Sequence, residues 1–104
     1  MDRNDVKKKL SEYRKLMARV QQLNIDIQLY ESSREELISE REKCLSSANF
    51  IEKAIKKESD LRKREILIRK YIYGDTLEEI AERLSFSSRH IQRLLNSAAD
   101  KIAL

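Results

Sequence analysis

Apolar residues recur at helical spacing along the chain. Beginning near Asn4 or Asp5, either a plausible cap, Val6, Leu10, Tyr13, Met17, Val20, Ile27 and Tyr30 mark one face of a single long helix, with Leu16 and Leu23 beside them. In heptad terms Leu10, Met17 and Asn24 fall at a, and Val6, Tyr13, Val20 and Ile27 at d, the seam of a coiled coil or of a packed helical pair. Leu16, Leu23 and Tyr30 at g broaden the stripe, which suits a multi-helix bundle better than a strict two-stranded zipper. Two readings of the seam stand side by side. It packs on the next helix of the same chain, or Leu10, Tyr13, Met17, Val20, Asn24 and Ile27 line an oligomer seam in which Asn24 pairs across and fixes register.

Ser32 and Ser33 interrupt the pattern, and Ser33-Arg34-Glu35-Glu36 has the form of a capping box that opens a second helix. Its apolar positions, Leu37, Ile38, Cys44, Leu45, Ala48, Ile51 and Ile55, keep near-helical spacing to about Lys57, and Ser46, Ser47 and Asn49 suggest a kink or short break. Residues 1–58 are thus expected to form a helical hairpin. A third helix, Leu61 to Tyr73, is stopped by Gly74, since glycine takes the left-handed conformation of a helix end without a Cβ clash. Thr76-Leu77-Glu78-Glu79 is a second capping box and opens a short helix with Leu77, Ile80, Ala81 and Leu84 inward. The connection Ser85-Phe86-Ser87 leads to a last helix, Ser88 to Ala103, whose inner face carries Ile91, Leu94 or Leu95, Ala98 and Ile102.

A short helix with a small residue in its middle, a turn of about three residues with one apolar side chain, and a second helix starting at a serine describe a helix-turn-helix over residues 59–104. Its expected core is Ile80, Ala81, Leu84, Phe86, Ile91 and Leu94, with Ala81 permitting a close crossing and Phe86 plugging the corner.

Composition narrows the classes. With one Gly, no Pro and 38% charged residues, the chain lacks the turn punctuation of sheets, and the fold class is all-α. The single Cys44 has no partner for an intramolecular disulfide and sits on an apolar face, where a buried structural thiol is expected. No apolar run suggests a signal peptide or a bilayer span, so no membrane partner and a cytoplasmic location are expected. One histidine, no ligand-spaced cluster and no Gly-rich phosphate loop argue against an enzyme, a metal site or a cofactor. The net charge of +4 is uneven, with 13 basic and 12 acidic residues before position 61 against nine and six after it. The basic excess therefore belongs to the helix-turn-helix part.

With the apolar positions of the last helix turned inward, Arg89, Gln92, Arg93 and Asn96 remain outward as candidates for base edges. Ser87 and Ser88 at the helix start, with Arg83, Arg69 and Lys70, are candidates for the DNA backbone. The stretch Tyr71-Ile72-Tyr73-Gly74-Asp75-Thr76-Leu77-Glu78-Glu79-Ile80-Ala81, continued by Glu82-Arg83-Leu84-Ser85-Phe86-Ser87-Ser88-Arg89-His90-Ile91-Gln92-Arg93, resembles region 4 of the sigma-factor superfamily. Within it, the chain is similar to small phage regulators of the ArpU and RinA type. The resemblance implies a transcription regulator that binds double-stranded promoter DNA and contacts RNA polymerase, with the N-terminal hairpin used for homodimerisation, higher oligomers or partner contact. Two alternatives stay open: a DNA-packaging protein of the small-terminase kind, and a protein-binding sigma mimic with little DNA affinity.

Overall fold

Asp2, not Asn4 or Asp5, caps the first helix. Its carboxylate accepts from the Asp5 N–H at 2.9 Å, and the backbone at Asp2 is extended as a cap requires. In the computed structural model, which describes residues 1–104, α1 then runs Arg3–Leu29. A 3-10 turn, Glu31–Ser33, reverses the chain into α2, Arg34–Lys56. The capping box expected at Ser33 does not form, and Ser33 makes no side-chain cap bond. The 3-10 turn takes over one half of the box, because the Ser33 amide that Glu36 would accept from already donates to the Tyr30 carbonyl. Nor does α2 break at Ser46, Ser47 and Asn49. All three are exposed while Ala48 between them is fully buried, so tertiary packing of one face overrides weak local propensity.

Three further helices follow. Asp60 caps α3, Leu61–Leu67, by accepting from the Lys63 N–H at 3.0 Å. That helix widens to π geometry over Ile68–Tyr73 and stops at Gly74, whose φ of 81° is left-handed. Then come α4, Leu77–Leu84, and α5, Ser88–Lys101. The chain is all-α, with no strand. No helix is long and apolar enough to cross a membrane. Cys44 is half-buried, short of the full burial its spacing suggested.

α1 and α2 form an antiparallel pair, bridged on its surface by Arg19 to Glu40 at 2.9 Å and by Arg41 donating to Asn24 Oδ1 at 3.0 Å. Within this single chain Leu10, Val20 and Ile27 of the heptad seam are buried, Tyr13 and Met17 are half-buried, and Asn24 is exposed. The proximal half of the hairpin does more than pair. Val6 and Leu10 of α1 and Ile51 and Ile55 of α2 share one core with Ile66, Leu67, Tyr71, Ile80, Ile91 and Leu95 of the following helices. Outside that core, Arg3 clasps Asp100 near the end of α5 through two parallel bonds, 2.8 and 2.7 Å.

Two outcomes follow from this packing. Leu10 is fully buried, so Leu10→Ala removes transfer energy and leaves a cavity; we expect a loss of about 2–5 kcal/mol in urea titrations, with hairpin and helix-turn-helix unfolding in one transition. The Asp100 carboxyl is held below its ordinary 3.8, chiefly by the hydrogen bond from Arg3. A carboxylate lowered in the folded state stabilises fully above its unfolded value and loses that contribution as pH falls through the folded one. The difference in melting temperature between wild type and Asp100→Asn should therefore be present near neutral pH and shrink below about pH 3.8; a difference that does not change with pH would show that the Arg3 contact does not depend on ionised Asp100.

Candidate nucleic-acid interface

The last two helices are set by local chemistry. At the head of α4, the Glu79 N–H donates to Thr76 Oγ1 and the Thr76 N–H donates to Glu79 Oε1, both at 3.1 Å, completing the capping box. The bonds to Thr76 hold the Glu79 carboxyl below its ordinary value. The helix ends at Ser85, left-handed with φ 58°, and the Phe86 N–H reaches back to the Ala81 carbonyl at 2.9 Å. Ser87 then caps α5 by accepting from the His90 N–H at 3.1 Å.

Ile80, Ala81 and Ile91 close the corner between α4 and α5, each at most 5% exposed. One expected core member is corrected. Phe86 is 36% exposed and does not plug the corner: its backbone makes the helix-ending bond while its ring lies outside. There it meets His90 edge-on at 4.7 Å between centroids and sits under the Arg62 guanidinium at 5.2 Å. Leu95, not Leu94, is the leucine of α5 that is buried, at 2% exposure, and Leu94 packs half-buried against the same core. Leu84 is likewise half-buried.

On the opposite face of α5, Ser87, Arg89, His90, Gln92, Arg93 and Asn96 line a shallow hollow of about 500 Å³ that contains no carboxylate. Arg93 Nη2 lies 2.6 Å from His90 Nδ1, so the two side chains meet on this face. Gln92 Nε2 donates to Asn96 Oδ1 at 3.0 Å, and Lys7 of α1 donates to the same oxygen. Five of the sequence-derived candidates, Ser87, Arg89, Gln92, Arg93 and Asn96, are thus brought to one surface; Ser88 begins the same helix and is half-buried.

The other three candidates lie elsewhere. Arg69 pairs with Asp75 at 3.6 Å and Glu65 at 3.8 Å, near the Tyr73 ring. Lys70 faces a different hollow, with Ser11, Arg14, Lys15, Tyr71 and Gly74. Neighbours on a helix point roughly 100° apart, so this divergence of Arg69 and Lys70 is geometric. Arg83 lines a surface with Glu79 and Glu82. Tyr71 is inert as an acid here, its hydroxyl pushed up to about 12 by burial.

Residues 60–103 match the family model of Sigma-70, region 4. This part of the chain is a sigma region 4-like helix-turn-helix. Residues 1–59 lie outside the match. No curated protein and no solved structure matches the chain. The region 4-like unit contains both capped helices of the motif and the whole hollow on α5.

Sequence reasoning missed two members of this surface. The three-residue spacing of His90 and Arg93 places them together on a helix and could have revealed the first. Lys7 carried no such signal, because no spacing rule says where a hairpin docks. One substitution tests the closeness of the crossing: Ala81→Leu should cost about 1–3 kcal/mol by overpacking, read by thermal or urea denaturation, whereas an unchanged midpoint would mean that α4 and α5 have slack at their corner.

Proposed function

We propose that the protein is a sequence-specific regulator of transcription that reads double-stranded promoter DNA with α5, in the manner of the small phage activators of the ArpU and RinA type that it resembles. The observation that carries this reading is the carboxylate-free surface on which Ser87, Arg89, Gln92, Arg93 and Asn96 converge at the start of the second helix of a helix-turn-helix. Arg89 and Arg93 suit guanine, whose O6 and N7 accept both prongs of a guanidinium, and Gln92 and Asn96 suit adenine. The free amides at the start of α5, with the hydroxyls of Ser87 and Ser88, suit a phosphate, and Lys70 supplies a further backbone contact. Arg69 and Arg83 are weaker clamps, since carboxylates already stand beside both.

An activator of this kind also needs a protein contact, and we assign RNA polymerase as the partner. The distal end of the hairpin supports a protein-binding role for that part, because Ile25, Leu29 and Tyr30 are more than half exposed there.

The deciding experiment is selection of DNA from a random pool by the purified protein and by the variant with Arg89→Ala and Arg93→Ala together. Wild type should enrich a motif, and the double variant should lose it, with each guanine contact contributing about 1–3 kcal/mol of discrimination. The same motif recovered by both proteins would remove α5 from base reading.

A further inference from the structure

The first helix carries a polar stripe beside the reading surface. Arg3, Lys7, Ser11, Arg14 and Lys15 follow one another at spacings of four, four, three and one, so they share a face of α1. The adjoining face, Val6, Leu10 and Tyr13, is spent on the core. At one end of the stripe Arg3 is neutralised by Asp100. The rest is not: Lys7, Arg14, Lys15 and, across from them on the π segment, Lys70 take part in no ion pair. Lys7 reaches the reading surface itself, where it donates to Asn96. Farther along, Ser11, Arg14, Lys15 and Lys70 line a hollow of about 300 Å³ with Tyr71 and Gly74, and no carboxylate opens into it.

Holding like charges together without counter-charges is unfavourable unless an anion completes the arrangement. The strain is visible at Lys7, whose ammonium is made less basic first by burial and then by the nearby charges of Arg3 and Lys70, against one opposing carboxylate at Asp100. Gly74 contributes by what it lacks. A Cβ there would overlap the Arg14 guanidinium, so the glycine that ends the third helix also leaves room for that cation.

We propose that α1 is part of the DNA interface, with Lys7 and the hollow formed by Arg14, Lys15 and Lys70 holding phosphates of the duplex backbone beside the groove that α5 enters. The inference rests on the reading of α5 as the groove-entering helix. Lys7 and Arg14 are two turns apart, roughly 10 Å at 1.5 Å per residue, comparable with the roughly 12 Å width of a major groove. The hairpin is then a second arm of the DNA-binding surface. Its contacts are to phosphate and carry no sequence information.

The test is a variant with Arg14→Gln and Lys15→Gln, both residues being exposed, compared with wild type on a selected site and on random DNA over a range of salt concentrations. We expect unchanged circular dichroism and melting temperature. Affinity for the two DNAs should fall in parallel, and the slope of log K against log salt should become shallower by roughly 0.9 for each phosphate that the variant no longer holds. Phosphate-ethylation interference should also vanish at positions flanking the selected motif. If wild type binds its motif and this variant, with Lys7→Gln added, keeps the same slope and interference pattern, α1 does not touch DNA, and the basic stripe serves another, acidic partner. If wild type selects no motif but binds in a salt-labile way that the variant weakens, the backbone contact stands and base reading by α5 falls. Absence of any binding by wild type would overturn both.

Discussion

The structure depends on the burial of the proximal third of α1 in the core of the helix-turn-helix. Leu10 is fully enclosed, and Val6 beside it nearly so, among side chains from every later helix. The region 4-like unit spans only 60–103, and three short helices of that length bury little apolar surface by themselves. Docking α1, with Ile51 and Ile55 of α2, adds a wall against which α3 and α5 pack. The hairpin therefore forms part of the surface on which α5 rests.

That coupling explains why polar bonds between the two parts occur where they do. Arg3 clasps Asp100, Lys7 bonds to Asn96, and Lys63 of α3 donates to Ser97 at 3.0 Å, so three donors hold the second half of α5 from two sides. The first half, from Ser87 to Arg93, is tied by its cap and by the short-range contact of Arg93 to His90. A helix fixed at its far end and capped at its near end loses little further freedom on entering a groove, which lowers the entropic cost of recognition.

Most of this architecture was legible in the residues because local rules and burial agreed. Gly74, Thr76 with Glu79, and Ser87 each act as their type and position dictate, and the third helix ends where the glycine stands. Legibility failed where two local solutions competed. Ser33 looks like a cap, but a 3-10 turn engages its own amide instead; Phe86 looks like a plug, but the turn needed only its N–H and left its ring outside. The partner of a heptad face was beyond the reach of pattern, since Leu10 offers the same periodicity whether it meets α2 alone, a second chain or, as here, a core shared by α2 and the later helices. Of the candidate interface, the α5 members follow from one helix and its inward residues. Lys7, Arg14 and Lys15, the proposed additions, come near it only through docking, and periodicity does not encode docking.

The polar network on α5 limits how its amides can read a base. Asn96 Oδ1 already accepts from both Gln92 and Lys7, which leaves its NH₂ group as the free end, a donor that suits guanine N7 or O6 and thymine O4. A bidentate contact to adenine needs both the oxygen and the nitrogen of one amide, and with both lone pairs of Oδ1 occupied Asn96 can pair with adenine only after one of its two donors, Lys7 or Gln92, lets go. Gln92 stands differently, with its oxygen and one N–H still free, and can pair with adenine while keeping its bond to Asn96. If α1 holds the DNA backbone as proposed, Lys7 exchanges Asn96 for a phosphate, so the exchange that frees the amide also moves a positive charge toward the backbone. On the proposed reading, backbone contact and base contact are linked through one hydrogen bond, and the first helix takes part in recognition without touching a base.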